Sequence, residues 1–108
     1  MLYFDGCPGA ASALRRLRAL LADAGIAAHV QLRAIRTEED AIAERFLGSP
    51  TIRVDGVDVE PAAGERRDFG LCCRLYRAAD GMQPMPPEAW VLAALRAAAE
   101  PSTARPAR

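Results

Sequence analysis

The chain has 108 residues, 51% hydrophobic, 26% charged and 6% aromatic, which is the makeup of one soluble globular domain with a single core. Fourteen basic residues, all arginine, balance fourteen acidic ones, so no net charge draws the chain toward nucleic acid or a membrane surface. The apolar runs are too short to span a bilayer, and three cysteines, an odd number, argue against a disulfide framework.

Met1 leads straight into Leu2-Tyr3-Phe4 without a charged or long apolar leader, so a cytoplasmic location is expected. Thiols there are more often catalytic, redox-active or metal-binding than disulfide-bonded. The predicted first strand covers Leu2 to Asp5, followed by Cys7-Pro8. Pro8 suits a first helical position, where its missing N–H is no loss. Helix one is expected from Pro8 to Ala24, with Ala10, Leu14, Leu17 and Leu21 on one stripe and Gly25 just past its end. Strand two spans Ala27 to Ile35, where Ala28, Val30, Leu32 and Ala34 alternate with His29, Gln31 and Arg33.

Thr37 reads as the N-cap of helix two, with Glu38, Glu39 and Asp40 in its first turn and its end near Phe46, ahead of Gly48. Pro50 to Val54 is strand three, and the Asp55-Gly56 turn leads into Val57-Asp58-Val59. Pro61 to Asp68 is a polar loop and Leu71 to Tyr76 a further strand candidate. Asp80-Gly81 and the prolines between Gln83 and Glu88 mark a loop. Helix three runs from near Pro87 to Ala99, with Trp90, Val91, Ala94, Leu95 and Ala98 at helical spacing. A domain over residues 1–99 then carries a disordered tail over 100–108. The order is β-α-β-α-β-β-α, and a right-handed βαβ crossover makes strands one and two parallel within a mixed sheet.

Cys7 falls where the first strand meets the first helix. Unperturbed cysteine titrates near about 8.5, and a helix N-terminus can lower that to about 7 or below. The plain alternative is a small buried cysteine that precedes a helix. Leu71, Cys73 and Leu75 would share one strand face, and Cys72, Arg74 and Tyr76 the other. Cys73 then reads either as a small core residue or as a functional thiol, and strain argues against a Cys72–Cys73 bridge. His29, the only histidine, falls on the outward phase of strand two. With no His/Cys cluster at ligand spacing and no glycine pattern for a phosphate, neither a metal nor a cofactor is expected.

Four segments together resemble a family of small bacterial thioredoxin-like proteins, some labelled alkylmercury lyase. They are Leu2-Tyr3-Phe4-Asp5-Gly6-Cys7-Pro8, Gly48-Ser49-Pro50-Thr51-Ile52, Asp55-Gly56 and Gly70-Leu71-Cys72-Cys73-Arg74-Leu75-Tyr76. The resemblance spans the chain to about Ala99. It implies an α/β fold, a thioredoxin-like three-layer sandwich with a mixed four-stranded sheet. It also implies thiol-redox chemistry at Cys7, with Cys73 at the family's usual second cysteine position. A cis peptide before Pro50 follows from it, as does a binding surface of Pro8, Ser49, Pro50 and Thr51 for a thiol-containing small molecule or protein.

The Cys-x-x-Cys pattern is broken, because Ala10 holds the second cysteine's place. A mixed disulfide on Cys7 must therefore be released by Cys72, Cys73 or an outside thiol. The lyase label implies an alternative, mercury or organomercurial handling by Cys7 and Cys73 with Asp5. A redox-silent interaction module is the third possibility. The oligomeric state is left open.

Overall fold

The structure is a computed structural model that describes residues 1–79 and 81–99. The tail expected over 100–108 lies outside the described residues.

Each helix stops or starts where the sequence provides a stop signal. Helix α1 (Ala10–Asp23) closes on Gly25, whose φ is +68°. The Ile26 N–H bonds the Leu21 carbonyl at 2.9 Å and the Gly25 N–H bonds that of Ala22 at 3.1 Å. This pair of bonds is a left-handed exit that glycine takes without penalty. Helix α2 (Glu38–Ala43) starts on Thr37, whose Oγ1 accepts the Asp40 N–H at 2.9 Å. Helix α3 (Glu88–Ala99) follows the proline-rich stretch. Leu17, Leu20 and Leu21 of α1 pack with Ile52, Met85 and Val91 in the main core, and Leu2, Ile35, Ala41 and Phe46 form a smaller one.

The strands are short: β1 (Leu2–Tyr3), β2 (Arg33–Ala34), β3 (Arg53–Val54), β4 (Val57–Asp58), β5 (Tyr76–Ala78) and β6 (Gly81–Gln83). They pair as three two-stranded sheets, β1–β2 parallel, β3–β4 and β5–β6 antiparallel. The expected thioredoxin-like sandwich with a mixed four-stranded sheet is therefore overturned. Isolated bridges connect Leu2 with Thr51 (antiparallel) and Ser49 with Cys73 (parallel). Pro50 lies between those two bridges and has no N–H to donate, so the ladder is interrupted there.

Strand two shrinks to its last residues. Ala28 and Leu32 are exposed, Leu32 at 48%, and alanine gives a strand little to pack. The span from Leu71 to Tyr76 is not a strand; only Tyr76 enters β5. Gly81, expected in a loop, instead opens β6, which pairs with β5; Asp80 lies outside the described residues. At the β3–β4 turn, Asp55 and Gly56 take φ of +52° and +81°, the left-handed pair whose twist suits a two-residue hairpin. No helix of the described residues is long and apolar enough to cross a membrane.

Candidate functional site around Cys7 and Ser49

Residues 48–51 form the floor of the site. Gly48 has φ +123°, and a Cβ there would lie 2.9 Å from Arg74 Cβ and 3.0 Å from the Cys72 carbonyl oxygen. Glycine alone lets the two segments approach this closely. The Ser49 N–H donates to the Cys72 carbonyl, and the Ser49 carbonyl accepts the Arg74 N–H, both at 2.8 Å. The Ser49–Pro50 peptide is cis. The Pro50 carbonyl accepts the Tyr76 hydroxyl. Thr51 exchanges two backbone bonds with Leu2, at 2.8 and 2.9 Å, and its hydroxyl donates to the Gly48 carbonyl at 2.6 Å. Ser49, Pro50 and Thr51 are fully buried. Their backbone groups are taken up inside the chain, so none presents a free edge for an extended partner. Pro8 is the only residue of the expected binding surface that is exposed.

An ion cluster holds this floor from one side. Arg74 is buried and donates to both Asp58 carboxylate oxygens, at 2.7 and 3.0 Å, to Glu60 at 3.1 Å and to Thr51 Oγ1 at 3.0 Å. Its guanidinium carbon lies 4.5 Å from the centre of the Tyr76 ring. Burial opposes the charge, but the bonds to Asp58 outweigh it, and the guanidinium is pushed up. Arg66 extends the cluster to Glu60 and Asp68. Sequence reasoning missed this cluster. Its partners are 14 and 16 residues apart in the chain, and no local pattern joins them.

Cys7 lies on the other side, and the local chain explains its position. The Cys7 N–H bonds the Phe4 carbonyl at 3.2 Å and the Ala10 N–H bonds that of Cys7 at 3.3 Å, so residues 4–10 fold as successive turns. The helix therefore begins at Ala10 and not Pro8. Its N-cap is Gly9, which has no side chain to cap it, and its first turn holds no acid. The positive end of α1 is left uncompensated just beyond Cys7. Cys7 is half-buried, and its Sγ donates to the Ser49 carbonyl at 3.6 Å. The Ser49 hydroxyl is buried without a partner. Next to the thiol opens a cavity of about 250 Å³ lined by Tyr3, Phe4, Ala10, Leu14 and Leu32.

The other two cysteines diverge. Cys73, expected to face the core with Leu71 and Leu75, is exposed, as is Leu75, while Arg74 and Tyr76 turn inward. The phase is inverted because the inward arginine meets two carboxylates and an aromatic ring. Cys73 is the backbone bridge partner of Ser49, so the segments carrying both expected catalytic cysteines meet at Ser49, but only the Cys7 thiol bonds it. Cys72 points to the Gly48 side, and its thiol donates to the Gly70 carbonyl at 3.7 Å and that of Leu47 at 3.9 Å. Partial burial pushes the Cys72 thiol up, and Asp68, Cys73 and Glu38 add to this. All three cysteines are free. Asp5 is exposed, 3.9 Å from Arg36, and His29 is exposed. Among the described residues no group of three or more His, Cys, Asp or Glu could hold a metal ion.

No family model matches this chain, and no curated protein or solved structure matches it.

Proposed function

We propose that the protein carries out thiol–disulfide exchange through Cys7 as its one nucleophile. The observation that carries this reading is a half-buried thiol, held 3.6 Å from the Ser49 carbonyl at the mouth of a cavity, ahead of an uncapped helix end. Reactive cysteines occupy electropositive, partly exposed settings of this kind. The buried floor beneath the sulfur does not have to move. In the reaction the Cys7 thiol gives its proton to solvent, letting go of the Ser49 carbonyl, and the thiolate attacks one sulfur of a disulfide. A new S–S bond forms, the old one breaks, and the departing thiolate takes up a proton from solvent. Ala10 leaves no second thiol one turn along, so an outside small-molecule or protein thiol, or the exposed Cys73, releases the adduct. A reducing cytoplasm is the compartment in which three free thiols fit this role.

The test is site-resolved exchange. The full chain is treated with hydroxyethyl disulfide and each cysteine is followed by peptide mass mapping. Cys7 is expected to exchange first, and Cys7→Ser to abolish that phase. If Cys7 exchanges no faster than Cys72 and Cys73, the reading is wrong.

A second reading has one observation in its favour: Ser49 accepts the Cys7 thiol and is the backbone bridge partner of Cys73, so two cysteine-bearing segments meet at one residue. Two thiols brought together from these segments would suit a thiophilic ion such as mercury. Asp5, the acid such a lyase would need beside them, points instead to Arg36 and solvent. One equivalent of mercuric ion lost on Cys73→Ser, with Cys7 intact, would favour this reading over exchange.

A further inference from the structure

The cavity beside Cys7 narrows what the thiol would exchange with. Its volume is about 250 Å³. An apolar cavity of about 150 Å³ takes a benzene molecule, so this one, which opens to solvent, has room for a ring carrying a short chain. Small residues, Ala10 and Ala11, give room near the sulfur, and Leu14 and Leu32 form the apolar wall. Leu32 is 48% exposed, so a ligand there would remove apolar surface from water that the chain itself leaves open.

Charge points the same way. Asp5 is the one charged side chain lining the cavity among the described residues, 3.9 Å from Arg36, and no arginine lines it although the chain has fourteen; Met1 also lines it, with its α-ammonium donating to the Gln31 carbonyl. The carboxylates of a peptide-like thiol such as glutathione would meet Asp5 and find no arginine among the lining residues.

We infer that the sulfur compound exchanged at Cys7 carries a neutral apolar arm of about the size of one substituted aromatic ring, seated against Leu14 and Leu32. The inference rests on Cys7 being the exchanging thiol. The step is balanced. Cys7 is oxidised to a mixed disulfide with the arm-bearing sulfur, and the other sulfur of the incoming disulfide is reduced and leaves as a thiol.

Two probes with the same leaving group test it, benzyl 2-pyridyl disulfide and glutathionyl 2-pyridyl disulfide. Released pyridine-2-thione gives the rate, peptide mapping gives the site, and each rate is divided by that of N-acetylcysteine. At Cys7 the benzyl probe is expected to lead by about tenfold, the return for burying most of a ring, with no such lead at Cys73. Leu32→Asp should bring the ratio at Cys7 close to one, and Leu14→Ser should lower it. A ratio near one in the unmodified protein overturns the inference while leaving exchange at Cys7 standing. A lead that survives both substitutions overturns the assignment of the cavity. Failure of both probes to label Cys7, with Cys73 labelled, removes the exchange reading and this inference together.

Discussion

The two flanks of the Ser49-Pro50-Thr51 segment are built differently. On one flank, Arg74 donates directly to Asp58, Glu60 and Thr51 and lies over the Tyr76 ring, and it keeps only 1% of its side chain exposed. On the other flank a single S–H···O contact at 3.6 Å joins Cys7 to Ser49, next to an open apolar cavity. The first flank fixes a position; the second leaves a reactive group free to change partner. A thiol that forms and loses a covalent bond, as we propose for Cys7, needs a floor that does not shift, and here the buried ion cluster supplies that rigidity.

That contrast predicts unequal responses to substitution. The largest should come from Arg74→Ala, which strands the Asp58 carboxylate, only 13% exposed, without its cation and leaves Glu60, 15% exposed, with Arg66 alone. Breaking a buried pair in this way costs about 3–5 kcal/mol, and solvent access to the acids places this case near the lower end. Denaturant unfolding reads it. A loss below about 1 kcal/mol, the range of a surface pair, would mean the cluster does not hold the floor. Arg74→Lys should restore only part, because an ammonium cannot bond both Asp58 oxygens in the plane that the guanidinium uses.

Gly48→Ala comes next. The alanine would have to adopt φ near +123° and place its Cβ 2.9 Å from that of Arg74. A loss of about 2–3 kcal/mol is expected, from the left-handed backbone together with displacement of Arg74. Near-neutral stability would show that the two segments can separate without consequence.

These positions also mark how far the sequence could be read. The three helices, the Thr37 cap, the Gly25 exit and the Asp55-Gly56 turn were legible, because each depends on residues within one turn of one another. The sheet was not. Alternation around Leu71 to Tyr76 placed Cys73 inward, but the burial of Arg74 depends on Asp58 and Glu60, which are close only after folding. Strand two alternated as required, yet Ala27 and Ala28 give little to bury, and only Arg33–Ala34 pair with β1. Cys7 and Ser49 were each visible as candidates in the sequence. Their contact, across 42 residues, and the cavity beside it were not.

Tyr76→Phe has a smaller expected effect. The hydroxyl donates to the Pro50 carbonyl in a buried setting, and its removal leaves that oxygen without a partner. About 1–2 kcal/mol should be lost, with the ring packing against Trp90 kept. Retention of full stability would place a water at the vacated position. Cys72 gives a pH test on the same flank. Its thiol is pushed up by burial and by Asp68, so less of it is thiolate at neutral pH than of an ordinary thiol. Iodoacetamide should therefore modify Cys72 slowly near about pH 7 and gain more than free N-acetylcysteine on going to about pH 10. A profile parallel to that of N-acetylcysteine would contradict the raised thiol at Cys72.

The smallest stability change belongs to the residue assigned the chemistry. Cys7→Ser removes one weak contact, and serine keeps a hydroxyl able to donate to the same Ser49 carbonyl. The expected loss is about 0.5 kcal/mol, an order of magnitude below a buried charge left unpaired. The same substitution should remove the fastest-exchanging thiol altogether. This combination separates the two flanks most sharply, since Arg74→Ala should do the reverse: it should lower stability strongly while leaving the Cys7 thiol in place in whatever fraction stays folded. Denaturant midpoints and site-resolved exchange, measured on both variants, decide the matter. If Cys7→Ser destabilised the chain as much as Arg74→Ala, Cys7 would be a packing residue, and the open flank would be part of the core.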